Sequence, residues 1–579
     1  MDVDRSPANL RELRANFGVL HRVMMVDRMM TLYNKAISQK ADRSFFEAML
    51  SILNVHTNVS PEDLDRIPRR GAAVVVANHP FGFIEGGILG ALLPSIRPDV
   101  KIMANSLLSV FPNVTDRFIY VNPFGGDEAK RENLRGMREA IDHLRKGGLL
   151  VVFPAGEVAH MNLRRREVTD PEWSPMIARM IRMTHASVLP MYFSGANSPL
   201  FHLVGLLHPR LRTAMLPHEI FNKQDREIDL RIGSLIPERK LRDIKEDATM
   251  MQYLRWRTYL LKHRDAPKPR HSRPLFPASI VAATEPAFLR AEVDQLPADR
   301  KLSEVNGCAT YYARSYEIPN VLREIGRLRE ITFRQSGEGT GKSIDLDSFD
   351  AYYIQLFAFN LEANEVVGAY RLGPADEITA RFGKAGLYTN TLFAFKDEFI
   401  GKVASALELG RSFVRPEYQK SYAPLLLLWK GIGEYVARNP RYKILFGPVS
   451  ISNDYQYMSR QFMVNYFRER PDEEKLMRFV KARSPFRGRP MKERPWDVEE
   501  LSALVADIET DQKGIPVLLR QYLKLGGRLL AFNLDKKFAD ALDGLILVDL
   551  TRTDPRMLSR YLGDEGAKRF LQKHVKPAR

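Results

Sequence analysis

The chain has 579 residues, more than one hydrophobic core usually serves, and its 45% hydrophobic and 27% charged content excludes a disordered or fibrous protein, so two or three globular domains are expected. Lys and Arg number 87 against 70 Asp and Glu, and this surplus of 17 suits a polyanionic partner: nucleic acid, anionic lipid or an acidic carrier protein. The single cysteine, Cys308, excludes an intramolecular disulfide framework and a cysteine-rich metal site, and fits a reducing cytoplasm.

The N-terminal MDVDRSPANLRELRANF carries early acids and no apolar core, so neither a signal peptide nor a transit peptide is expected. Residues 8 to 55 read as helical, with Leu20, Val23, Met24, Met30 and Leu32 at three- and four-residue spacings. Such a stripe docks on the next domain or on a membrane, and core packing is its commoner use. A regular alternation comes next: strand 72–77, a helix after Glu85, strand 118–121, helix 127–146, strand 149–153, helix 174–185 and strand 188–193. This predicts an α/β layer domain over 56–264, preceded by a helical segment over 1–55.

The apolar stretch from Ser187 to Leu207 is broken by Ser-Gly-Ala-Asn-Ser and by Pro190 and Pro199, so it makes a poor spanning helix and any membrane contact should be peripheral. DAPKPRHSRPLFPAS, at 265–279, is rich in proline and basic residues and reads as a linker over 265–280. Beyond it, a short helix at 285–296, a helix at 318–332, a Gly-rich loop, strands at 352–360, 365–372 and 404–414, a helix at 422–437 and a strand at 443–449 predict an α+β domain over 281–579 with a mostly antiparallel sheet. The basic groups Arg164-Arg165-Arg166, Lys536-Lys537 and Arg483 to Arg494 read singly as solvated surface.

VVVANHPFGFIEG, at 74–86, ends a β-like run on His79 and places Glu85 six positions on. A histidine delivered by a strand into the turn before a helix is exposed at a sheet edge near backbone amides. A carboxylate that folds back to the ring can hold its tautomer and stabilise the imidazolium formed when the ring removes a proton. The plain alternative is a satisfied histidine at a strand end.

At these residues the chain resembles the glycerolipid acyltransferases, over roughly 70–200. Phe153-Pro154-Ala155-Gly156-Glu157-Val158 stands for that family's later Phe-Pro-Glu-Gly segment, and Val188-Leu189-Pro190 for its closing strand. The resemblance implies His79 and Glu85 as catalytic and Phe153, Pro154, Gly156 and Glu157 as substrate-binding. Five residues separate His79 from Glu85 where the family has four. The family's arginine after the strand ending at Val121 is replaced by Asn122-Pro123, and the one after its Phe-Pro-Glu-Gly-Thr segment by Val158. Because a guanidinium fork matches a phosphate, these losses point to an acceptor without one, and so to O-acylation of a hydroxyl on a phosphorus-free lipid.

In the second half, ALELGRSFVRPEYQ (406–419) holds Glu408 and Arg411 three apart, on opposite faces of a strand unless a bulge intervenes. With RLREITF (327–333), DLDSFD (345–350) and GAYRL (368–372), the segment resembles the acyl-homoserine lactone synthases and, more closely, the ornithine-lipid N-acyltransferases. Both have an acetyltransferase-like (GNAT) fold. The resemblance implies Glu408 and Arg411 as catalytic, with Arg329, Phe333, Asp347, Asp350 and Arg371 as substrate-binding. Gln419 is followed by Lys-Ser-Tyr-Ala-Pro, without the glycines that cradle a CoA pyrophosphate, which fits acyl carrier protein as donor.

Together the two resemblances imply a bifunctional ornithine-lipid synthase. The C-terminal domain would acylate an amino-acid α-amine with a 3-hydroxyacyl group, and the N-terminal domain would then esterify that hydroxyl. The expected partners are acyl carrier protein, the amino acid, the lyso-aminolipid and a peripheral membrane contact, on the cytoplasmic face of a bacterial inner membrane. No bound cofactor, metal or nucleic acid is expected. An enzyme with only the C-terminal activity and a non-catalytic basic binder of membranes or nucleic acid are the rivals. SGEGTGKS (336–343) lacks the first glycine and preceding strand of a phosphate-binding loop and reads as a flexible substrate loop.

Overall fold

The computed structural model describes residues 26–39, 44–106, 108, 117–122, 127–162, 167–207, 209–264, 277–468, 474–488 and 495–574. Leu20, Val23, Met24, Arg164 to Arg166 and most of the expected linker lie outside them, as does part of the Arg483 to Arg494 group. The chain divides into two compact units, Met1–Asp265 with Ala506–Thr510, and Ala266–Val505 with Asp511–Arg579. Among the described residues no helix is long and apolar enough to cross a membrane.

The first unit is built on strands β1 (His56–Asn58), β2 (Ala73–Ala77), β3 (Val100–Asn105), β4 (Phe118–Val121), β5 (Leu149–Val152), β6 (Ser187–Phe193) and β7 (Glu227–Ile232), in the order β1-β7-β6-β2-β5-β3-β4. All neighbours are parallel except β6 and β7. A central parallel strand must be apolar on both faces, and β2 is the run Ala-Val-Val-Val-Ala. Val75 and Ala77 pack with Phe46, Met49, Ile84 and Ile88 on one face. Val74 and Val76 pack with Leu144, Ile177, Ile181 and Leu254 on the other. Gly90, on the helix Phe83–Ile96, permits this closeness, since a Cβ there would lie 2.6 Å from the Phe46 ring.

The second unit contains β8 (Lys301–Val305), β9 (Cys308–Arg314), β10 (Ile354–Asn360), β11 (Glu365–Pro374), β12 (Ala406–Val414), β13 (Ile444–Ile451), β14 (Arg528–Asp535) and β15 (Ala541–Asp549), ordered β8-β9-β10-β11-β12-β13-β15-β14. The sheet is antiparallel except at β12 and β13, which run parallel. Those two pair only at Ala406, Leu407 and Glu408 with Ile444, Leu445 and Phe446. The helix Pro319–Gln335 packs Val321, Ile325 and Leu328 against Ala309, Phe357 and Ala369. The molecule is thus an α/β layer unit and an α+β unit, as expected from the patterning. The hairpin β8–β9, absent from the expected elements, turns at Asn306-Gly307, a dipeptide that favours such turns because both residues take positive φ.

The Gly-rich loop differs from expectation. Its Thr340 N–H, Thr340 hydroxyl and Gly341 N–H donate to the buried Glu330 carboxylate at 3.2, 2.6 and 2.9 Å, so it is pinned to the helix Pro319–Gln335 rather than free.

Candidate active sites

In the first unit, β2 ends at Ala77 and Asn78 anchors the turn beyond it. The Asn78 side chain donates to the Phe193 carbonyl at 2.9 Å and accepts from the Phe193 N–H at 2.7 Å, tying the turn to the end of β6. Gly82, at φ +107°, then redirects the chain into the helix beginning at Phe83. One turn in, fully buried Glu85 looks back at the loop. Its Oε1 accepts from the Phe81 N–H at 2.6 Å and the Gly82 N–H at 3.2 Å, and lies 3.3 Å from His79 Nδ1. The longer spacing and the longer side chain of glutamate therefore still bring carboxylate and ring together. With Nδ1 facing Glu85, Nε2 is left as the nitrogen that can take a proton from a substrate.

Phe153 holds the ring, and two hydrogen bonds hold the His79 backbone. The two rings stack with centroids 4.4 Å apart. The His79 N–H donates to Asp170 Oδ1 at 3.1 Å, and its carbonyl accepts from the Ala159 N–H at 2.8 Å. Pro154 is buried and its carbonyl accepts from the Ser174 N–H. Gly156 takes φ +68° and places Glu157 at the surface, where it accepts from Arg212 at 2.6 Å. Of the residues assigned to this site, His79, Glu85 and Phe153 converge, whereas Pro154, Gly156 and Glu157 shape the adjoining turn.

Sequence reasoning missed Asp170, Arg212 and Lys223. Asp170 also accepts from Trp173 Nε1 at 3.1 Å, and burial pushes its carboxyl up despite these donors. Lys223 lies 5.0 Å from the Phe81 ring centroid and is drawn electrostatically by Glu85; burial lowers its ammonium below the usual lysine range. No local motif marks these three, since each reaches the site from a distant segment.

In the second unit the three arginines are paired. Arg329 donates to Asp350 and Gln355, each at 2.8 Å. Arg371 donates to Asp347 at 2.6 Å and lies 3.3 Å from Asp350. Burial works against ionisation of Asp350, yet Arg329 and Arg371 hold its carboxyl below the ordinary range. Arg371 also lies over the rings of Phe349, Tyr353 and Tyr388. Arg329 is 0% exposed and Arg371 1%, so both act as buried organisers of this wall, and Phe333 packs edge-on against Phe538.

Glu408 and Arg411 meet around Tyr388 because the strand carries a bulge. The register of β11 against β12 shifts between Ala369 and Arg371, and Arg411 sits in the left-handed region at φ +48°. Its guanidinium donates to Tyr388 Oη at 2.9 Å and pairs with Asp345 at 3.1 Å. Glu408 accepts from the Tyr353 hydroxyl, from the Thr389 N–H at 2.5 Å and from the Tyr388 N–H at 3.2 Å. Burial raises its carboxyl above the usual range. A carboxylate so placed can accept a proton through Tyr353 or a water rather than by an open face.

Comparison with known proteins matches each half of the chain to acyltransferases. A family described as Acyltransferase matches residues 5–266, and the Acetyltransferase (GNAT) domain family matches 328–429. A glycine N(alpha)-acyltransferase of Bacteroides thetaiotaomicron is 33% identical over 303 residues, 48% of this chain and 88% of its own length. A lyso-glycine lipid O-acyltransferase of Phocaeicola vulgatus is 25% identical over 241 residues, 40% of this chain and 82% of its own. A solved CoA-dependent acyl-homoserine lactone synthase aligns over 47% of this chain and 92% of its own at 13% identity and a TM-score of 0.24, too low to build on. The chain is an acyltransferase, and it belongs to the family of that glycine N(alpha)-acyltransferase.

Proposed function

We propose that this chain makes a diacylated amino-acid lipid in two steps. The second unit joins a 3-hydroxyacyl group, carried as a thioester on acyl carrier protein, to the α-amine of an amino acid, ornithine in the first instance. The amine nitrogen attacks the thioester carbonyl, the carbon–sulfur bond breaks, and the amine proton passes to Glu408 through water or Tyr353. The first unit then acylates the new lipid's 3-hydroxyl. Nε2 of His79 takes the hydroxyl proton as the oxygen attacks a second thioester, Glu85 stabilises the imidazolium, and the departing thiolate recovers the proton.

The observation that carries this reading is that one chain spans 88% of an N-acyltransferase relative and 82% of a lyso-lipid O-acyltransferase relative. The His79–Glu85 contact and the buried Glu408 support a general base in each half. An apolar depression lined by Met29, Tyr33, Phe45, Met49, Phe83 and Phe118 lies beside the helix that carries Glu85 and offers an apolar surface to an acyl chain. Leu200, Leu203 and Leu206 are exposed at three-residue spacing on the helix Pro199–Leu207 and suit peripheral contact with a lipid surface.

The test is to express the chain in a bacterium lacking aminolipids and to compare lipid extracts by mass spectrometry. Wild type should yield a diacylated aminolipid, His79→Ala the monoacylated form and Glu408→Ala neither. The headgroup mass distinguishes ornithine from glycine. Folded wild-type protein that adds no new lipid when 3-hydroxyacyl carrier is supplied would refute the reading.

A further inference from the structure

Among the described residues around Arg411, the charges do not balance. Arg329, Arg371 and Arg411 are matched by ion pairs with Asp345, Asp347 and Asp350. Among the described residues, further carboxylates stand nearby. Glu408 is satisfied by a hydroxyl and two amides. Asp535 accepts from the Lys537 N–H at 2.9 Å and feels the Lys537 charge. Asp543 accepts only from the Ser450 hydroxyl, at 2.8 Å, among the described side chains. The Glu338 carboxylate accepts a hydrogen bond from no described residue, although the residue is only 6% exposed.

These acids come from separate elements. Asp543 on β15 pairs in register with Ser450 on β13 and Asn533 on β14. Asp535 is two residues beyond Asn533, on the same face of the sheet. Glu338 enters from the pinned loop after the helix Pro319–Gln335 and interacts electrostatically with Asp543, Asp454 and Arg411. Beside them β12 and β13 have already parted, beyond the rung at Glu408 and Phe446. Burial, with the charges of Asp543 and Asp454 acting on Glu338 and that of Asp535 acting on Asp543, pushes Glu338 up to about 8 and Asp543 up to about 7, and Arg411 offsets this only in part. A bound ammonium is the group that would relieve both, because a buried carboxylate needs a pairing charge.

We propose that Glu338 and Asp543 are specificity-determining residues of the N-acylation site, and that they hold a second cationic group on the acceptor amino acid, distinct from the α-amine that is acylated. This rests on the reading that the second unit acylates an amino acid. An acceptor with an ammonium at the end of its side chain fills the seat, whereas glycine leaves both carboxylates unpaired. Rejection of an acceptor that leaves buried polar groups unmatched is typically strong.

The experiment uses the full chain with 3-hydroxyacyl carrier protein as donor and compares ornithine, norvaline and glycine as acceptors by product mass. Norvaline has the carbon skeleton of ornithine without the side-chain amine. Wild type should favour ornithine over norvaline and glycine by at least about 100-fold in kcat/KM. Glu338→Gln and Asp543→Asn should each lower kcat/KM for ornithine by at least about tenfold, mainly through KM, and leave norvaline nearly unchanged. Equal use of ornithine and norvaline by wild type, which needs no variant to fold, would overturn the proposal, as would variants that depress both acceptors alike. Acylation of glycine in preference to ornithine would overturn it while leaving amino-acid N-acylation intact. Transfer to none of the three would bring down the underlying reading as well.

Discussion

At the scale of single residues, the first site turns on what Glu85 does for His79. Its Oε1 is shared between two backbone amides and the imidazole, so orientation and charge can be separated by one substitution. Glu85→Gln retains an oxygen for the Phe81 and Gly82 N–H groups but removes the negative charge that stabilises an imidazolium. O-acylation by purified protein should then fall by about 10² to 10³-fold while the melting temperature stays close to wild type. An unchanged rate would assign Glu85 to the turn alone. His79 and Glu85 were legible in the sequence because both lie within one strand-turn-helix, where spacing translates directly into geometry. Asp170 was not. It binds the His79 N–H from 91 residues away, and nothing in the local sequence around it announces that partner.

Among elements, the bulge in β12 decides whether Glu408 and Arg411 share a site. An ideal strand would send residues three apart to opposite faces, and their convergence on Tyr388 depends on the extra residue opposite Tyr370. Composition gave no sign of it, because Arg411 is not a residue that favours positive φ. The conformation is imposed by pairing with β11 and by the Asp345 and Tyr388 contacts. Left-handed backbone costs a side-chain-bearing residue about 1–2 kcal/mol, which glycine avoids. Arg411→Gly and Arg411→Ala should therefore both abolish N-acylation, since each deletes the guanidinium. The glycine variant should nevertheless be the more stable of the two by about 1 kcal/mol in chemical denaturation, the reverse of the usual ranking. If alanine proves the more stable, the backbone at 411 is relaxed and the bulge does not hold the strain assigned to it.

For the molecule as a whole, each unit has its own core. Leu189, Val151 and Val75 anchor one, and Phe357, Ala369 and Ile325 anchor the other. The fold classes of the two halves were legible because the shift from alternating strand and helix to successive antiparallel strands is a matter of patterning, whereas the return of Ala506–Thr510 to the first unit left no mark in the sequence. The sequence could not convey which buried carboxylates lack a cation, since that depends on how β13, β14 and β15 and the 336–343 loop are brought together. On the proposed two-step function, separate cores mean that the two reactions need not occur on the same copy of the chain, provided the monoacylated product leaves its site. A His79→Ala chain retains the N-acylation machinery and a Glu408→Ala chain retains the O-acylation machinery. Neither substitution touches the other unit's core. Co-expressed in a host without aminolipids, the two variants should therefore restore the diacylated lipid that neither makes alone, with the monoacylated species detectable as the shared intermediate. Restoration would establish that the intermediate is free in the bilayer or in solution. Persistent accumulation of the monoacylated lipid, with both variants folded and expressed, would instead require that it pass between sites on a single chain, and the fusion of the two units would then serve transfer as well as supply.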